Sequence, residues 1–163
     1  MISSMEYADL VRDFVGRTRR NLELTDALPR QGDTPFFEVT QLINSLLGLI
    51  VLPRQLMLDA LPNTPLDRLD ATWPRVHFVD GAESGRPPAD LRQLVKGLRN
   101  AVGHLNIDYN GNGTSITGVR LKSAARPPAW AIDFELDQLR RFVERLASEI
   151  ETTLSNRPSR TTR

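Results

Sequence analysis

The sequence predicts a mainly α protein, a four-helix bundle with a small antiparallel β-hairpin inserted between its last two helices. Three observations point there. Apolar residues recur at helical spacing over four long stretches, the last carrying Leu139, Phe142, Val143, Leu146 and Ile150. Between the third and fourth stretches, NIDYN and TSITGVRLKS alternate around a Gly-Asn-Gly that supplies positive φ. The composition, 40% hydrophobic and 25% charged, is that of a chain that folds around a core.

Each element has its own signal. Ser3 and Glu6 fit a capping box that opens the first helix. Tyr7, Leu10, Val11, Phe14, Val15, Thr18 and Leu22 then follow at helical spacing as far as Asp26. LPRQGD is a loop. Thr34 caps a second helix with Pro35 at its first position, running to about Pro53, and this is the most apolar element of the chain. A further turn or two of helix is expected over Arg54 to Leu61, then a proline-punctuated loop and a short extended WPRVHFVD. The third helix is expected from about Pro88 to Leu105, and the fourth from Leu136 to Leu154. AWAIDFE alternates and is a candidate third strand. The whole reads as one domain over residues 1–155, with its β insertion at about 106–134 and a basic tail, 156–163, expected to be disordered.

Composition narrows the function. With no cysteine there are no disulfides, no thiolate metal sites and no cysteine nucleophile, and a reducing, cytoplasmic setting fits. MISSMEYADLVRD lacks the apolar core of a secretory signal, and LINSLLGLIVL is too short and interrupted to span a bilayer, so no membrane partner is expected. A net charge of +1 announces no global attraction for nucleic acid. No phosphate-binding loop, dinucleotide fingerprint, zinc-ligand set or serine-hydrolase elbow occurs, so neither metal nor cofactor is expected.

The stretch RNAVGH, residues 99–104, is where chemistry concentrates, and it holds one of only two histidines. On a helical wheel Leu91, Leu94, Val95, Leu98, Val102 and Leu105 cluster toward the core. Arg92, Lys96, Arg99, Asn100, Gly103 and His104 fall on the opposite arc. Asn100 and His104 share a face, whereas Arg99 and His104 diverge by about 140° on an ideal helix. Such a convex face makes a poor active site alone, and a second subunit could supply the missing wall. Cations in a last helical turn also complement the helix dipole without any function, an effect of about 0.3–1 kcal/mol. On the second helix, Glu38, Gln41, Ser45 and Gly48 form a narrow polar and small stripe, either a helix contact or a place from which Glu38 steers Arg99 or His104.

RNAVGH resembles the motif of the HEPN superfamily, an Arg followed after four to six residues by a His, often with Asn directly after the Arg. The resemblance extends over residues 5–152, through RTRRNLE in the first helix and FFEVTQLINSLLGLIVLP in the second. This arrangement is similar to one group of prokaryotic HEPN nucleases, plasmid-borne members among them. It implies a HEPN-type helical bundle, a homodimer, and RNA as substrate. It also implies metal-independent cleavage in a cleft built from both subunits' motifs, in toxin–antitoxin or antiviral defence with an antitoxin or regulatory partner. Arg99, Asn100 and His104 match the catalytic positions. Arg92 and Lys96 would hold flanking phosphates, and Asn100 would orient His104. Some HEPN toxins carry a modified Tyr two residues after the His; here that position is Asn106 and the nearest tyrosine is Tyr109, which puts such regulation in doubt. His77 reads as a surface or packing residue. The alternative is a catalytically inactive HEPN-like module that binds nucleotide, RNA or a partner protein through the same groove.

Overall fold

Helix α5, Leu136–Ser155, is the element on which the others meet. Leu139, Phe142, Val143, Leu146, Ala147, Ile150 and Leu154 return at three- and four-residue intervals and are all buried. This makes one apolar stripe too wide for a single neighbour. It is covered by α1, Tyr7–Ala27, by α2, Glu38–Val51, and by strands of the sheet. Glu135 starts α5 with a capping box, its backbone N–H donating to the Gln138 side chain at 3.1 Å. The computed structural model describes residues 7–27, 38–53, 55–79, 86–111, 116–123 and 130–156. The Ser3–Glu6 box, the Thr34–Pro35 start of the second helix, the turn residues Asn112 and Gly113, and the tail from Arg157 lie outside the described residues.

The expected segment after the second helix is a single turn, α3, Gln55–Leu58, followed by a 3-10 turn at Leu66–Arg68. The third predicted helix is α4, Leu91–Gly103. It begins later than Pro88 because Asp90 caps it, its carboxylate accepting from the Gln93 N–H at 2.8 Å. Leu66 N–H donates to the Ala89 carbonyl and Leu91 N–H to that of Thr64, which straps the preceding loop to the helix start. Leu91, Leu94, Val95, Leu98, Ala101 and Val102 are buried against α2 and the sheet. Each fully buried aliphatic side chain among them contributes about 1.5–3 kcal/mol. Leu105 departs from the expected core stripe and is 82% exposed, since the helix has already ended.

The insertion is a three-stranded antiparallel sheet rather than a hairpin: β1, Ile107–Gly111; β2, Ile116–Lys122; and β3, Ala131–Glu135, in the order β1-β2-β3. The AWAIDFE run supplies the third strand because Ile132 and Phe134 point inward while Asp133 points out. Val119, Leu121, Ile132 and Phe134 form the buried face over α4 and α5. On the outer face Arg120 grips Asp133 with two bonds of 2.7 Å, and Lys122 pairs with Asp108 at 2.8 Å. The described end of the expected WPRVHFVD segment meets β3, where Phe78 bridges Ile132 and Val79 N–H donates to the Ala131 carbonyl. Among the described residues no strand covers the free edge of β1.

Two glycines carry the packing. A Cβ on Gly48 would collide with the Phe14 ring, so the small stripe on α2 is a contact with α1, with Ser45 buried beside it. A Cβ on Gly118 would stand 2.5 Å from the Phe134 carbonyl oxygen, where rigid backbone cannot move aside. Gly118→Ala is therefore expected to destabilise the fold by about 1–3 kcal/mol, read as a lowered melting temperature.

The sheet also predicts a pH dependence. Hydrogen bonds from Arg120 hold the Asp133 carboxyl below its ordinary value of 3.8. A lowered folded-state pKa contributes stability that is present above that value and is lost as pH falls below it. Acid unfolding followed by circular dichroism should be less steep in Asp133→Asn than in wild type.

Candidate nucleic-acid site at the end of the fourth helix

Helix α4 ends in a Schellman turn. Leu105 N–H donates to the Val102 carbonyl at 3.0 Å and Asn106 N–H to that of Ala101 at 2.9 Å, while His104 N–H still reaches Asn100 at 3.0 Å. Leu105 takes the left-handed conformation, φ 54°, at the position where glycine is the usual choice. A leucine held there costs about 1 kcal/mol relative to an unstrained backbone. Glycine instead stands at 103, inside the last helical turn, where it costs about 1 kcal/mol relative to alanine. Nothing approaches a Cβ built on Gly103, so packing within the chain does not require it.

The turn sets the directions of the motif side chains. Gly97 and His104 are seven residues apart and share a direction from the helix axis to within about 20°. Gly97 lies beneath Trp130, the residue before β3, with no room for a Cβ. His104 is therefore carried on the flank that α4 turns to the sheet, and it is exposed, as are Asn100 and Gly103. Arg99 leaves the helix about 140° away from His104. It is half-buried and engaged within the chain. On ideal helix geometry Asn100 and His104 share a face, whereas Arg99 and His104 leave the axis in different directions.

The flanking cations have intramolecular partners. Arg92 is half-buried, and its Nε donates to the Leu61 carbonyl at 2.7 Å. Lys96 pairs with Asp59 at the surface. Glu38 is the first residue of α2, and its side chain lies outside the described ones.

Among the described residues, three concavities lie elsewhere. Cavities of about 460, 920 and 240 Å³ form a trough beside α5, the first two sharing Arg141 and the last two sharing His77 and Gln138. None of these three is lined by a residue of α4. Arg145, in the trough wall, stacks 5.3 Å over the Trp73 ring.

Two large residues that follow His104 in the chain are exposed. Helical periodicity assigns Leu105 to the core, and with leucine where glycine usually ends a helix the sequence carries no signal against it. Tyr109 is 56% exposed although its cross-strand partner Val119 is fully buried on the same face.

A family model described as HEPN pEK499 p136 matches residues 3–157. No curated protein and no solved structure gives a significant match to the chain.

The two flanking cations should separate in mutagenesis. Arg92→Ala removes a charged donor from the carbonyl of buried Leu61 and is expected to cost about 1–2 kcal/mol. Lys96→Ala loses only an exposed pair, a cost expected to stay under about 1 kcal/mol. Denaturant melts of the two variants check the order.

Proposed function

Because the chain belongs to the HEPN family described as pEK499 p136, we propose that it is a metal-independent endoribonuclease acting in toxin–antitoxin or antiviral defence. The observation that carries this reading is the exposed end of α4, where Asn100 and His104 are open to solvent while Arg99, about 140° away on an ideal helix, is half-buried. One chain presents an imidazole and a guanidinium in different directions, and a twofold pairing of two α4 ends would bring both kinds of group to one cleft.

The chemistry follows from the side chains. RNA carries its own nucleophile, the 2′-hydroxyl. One imidazole takes its proton as oxygen attacks phosphorus, and a second protonates the departing 5′-oxygen, leaving a 2′,3′-cyclic phosphate. Two copies of His104 fill the two roles that one copy cannot fill together. Arg99 balances the charge that gathers on the phosphorane oxygens, and Asn100, one turn before His104, orients the ring or binds a phosphate oxygen. Lys96 can exchange its surface carboxylate for a flanking phosphate more readily than Arg92 can leave the Leu61 carbonyl. An antitoxin or other regulatory partner would act by covering this cleft.

The second reading is an inactive module that binds nucleotide, RNA or a partner protein through the same groove. Cleavage separates the two. His104→Ala should lower single-turnover cleavage by about 10²–10⁴-fold with RNA affinity nearly kept. Activity should survive EDTA. If both imidazoles are needed, dimers formed from equal amounts of wild-type and His104→Ala chains should retain about a quarter of full activity rather than half. Wild-type rates for His104→Ala would leave the binding module as the better account.

A further inference from the structure

One wall of the trough beside α5 is a segment whose backbone the fold leaves unused. Phe78 and Val79 are tied to β3, but Arg75, Val76 and His77 make no hydrogen bond to a described residue. Exposure alternates along them as in a strand, with Arg75 and His77 open and Val76 and Phe78 packed on the core. All of Arg75, Val76 and His77 line the cavity of about 920 Å³, beside the apolar Leu66 and Leu69. The charges of the trough are unevenly engaged. Arg141 lines this cavity and the adjoining one of about 460 Å³, and neither it nor Arg75 has an acidic partner among the described residues. Glu23 and Glu144, in the smaller cavity, and Asp67, in the larger, have no basic partner among them either. The remaining charges are held within the chain: Arg19 bonds Glu151 at 2.7 Å, Arg145 stacks over Trp73, and Asp70 accepts from Thr72 N–H at 2.8 Å.

We infer that the trough takes an extended peptide from a protein partner. The peptide pairs its backbone with Arg75–His77 as an added strand, sets an acidic side chain on Arg75 and Arg141, and sets a basic one on Glu23 and Glu144. None of this rests on the ribonuclease reading, since no residue of α4 lines the trough. Unpaired N–H and C=O groups in an extended segment are a template for another strand, main-chain bonds giving affinity and side-chain pockets giving selectivity. Apolar side chains between the two charged ones would meet Leu66, Leu69 and Val76. From Gln138 to Ser148 α5 rises about 15 Å, which matches about four or five extended residues. A polyanion would satisfy the arginines only by lying against Glu23, Glu144 and Asp67, whereas a peptide brings both signs of charge.

The test selects peptides from a random displayed library on the full chain, then measures affinity for one selected peptide, with melting of every variant. Selected sequences should share an acidic and a basic residue separated by apolar ones. Arg141→Glu should weaken the peptide by about fivefold, and changing the peptide's acidic residue to lysine should recover the loss. Glu144→Lys should respond in the same way to reversal of the basic residue. In a strand only alternate N–H groups face the neighbour. Methylating the peptide's backbone nitrogens at one set of alternate residues should therefore abolish binding, while methylating the other set should spare it, with every side chain kept. A library that yields no sequence dependent on Arg141 would overturn the inference, and so would full binding by both methylated peptides. Displacement of the peptide by oligouridylate, itself bound more weakly by Arg141→Glu, would also overturn it and assign the trough to nucleic acid.

Discussion

The hydrogen bond from Asn106 N–H to the Ala101 carbonyl is the constraint from which the candidate site and the sheet beside it are built. It closes the Schellman turn, so it decides that α4 stops at Gly103 and that His104 stands at the rim rather than inside a longer helix. It also aims the chain into β1. The Asn106 carbonyl accepts from Lys122 N–H at 3.0 Å, and this sets β1 against β2 with Ile107 opposite Leu121. Were the helix one turn longer, Leu105 would join the buried stripe. The sheet would then lose its register, because a slip of one residue exchanges the inner and outer faces.

Stability in this chain comes from positions remote from that turn. The stripe of α5, the Gly48–Phe14 contact and the Gly97–Trp130 contact hold the bundle together. The turn itself carries two unfavourable residues, Gly103 within a helix and Leu105 in the left-handed region. Local choices that disagree with the fold are expected where function, not stability, decides the residue. Their position on either side of His104 fits that rule.

Much of this was legible in the sequence. Four apolar stretches located the long helices, since burial on one side imposes a period that survives any detail of packing. The alternation in AWAIDFE announced β3. The start of α4 was misplaced because Pro87 and Pro88 resemble a helix opening, while the cap was Asp90, whose role shows only through its bond to Gln93. Leu105 was misplaced for a different reason. Periodicity continues a pattern past the point where hydrogen bonding ends it, and a turn that normally takes glycine gave no warning with leucine in that place. The partners of Arg92 and Lys96 were invisible for a third reason: Leu61 and Asp59 are far away in sequence.

The proposed placing of phosphate chemistry at a helix C-terminus needs a physical account. Helix dipoles favour anions at N-termini, and an open C-terminus opposes them by about 0.3–1 kcal/mol. Here the opposing field is weakened at its source. The carbonyls of Asn100, Ala101 and Val102, which would otherwise point into solvent, each accept a backbone N–H from the turn. Approach along the helix axis is also closed by the chain reversal at Leu105. A phosphate therefore has to come from the flank, where Asn100 and His104 are exposed. On that flank one chain offers an imidazole and an amide, but its Arg99 points elsewhere. In the proposed dimeric site the cation for the developing charge comes from a second molecule of the same chain, and the Schellman turn, by capping the carbonyls, lowers the opposition that a phosphate would meet there.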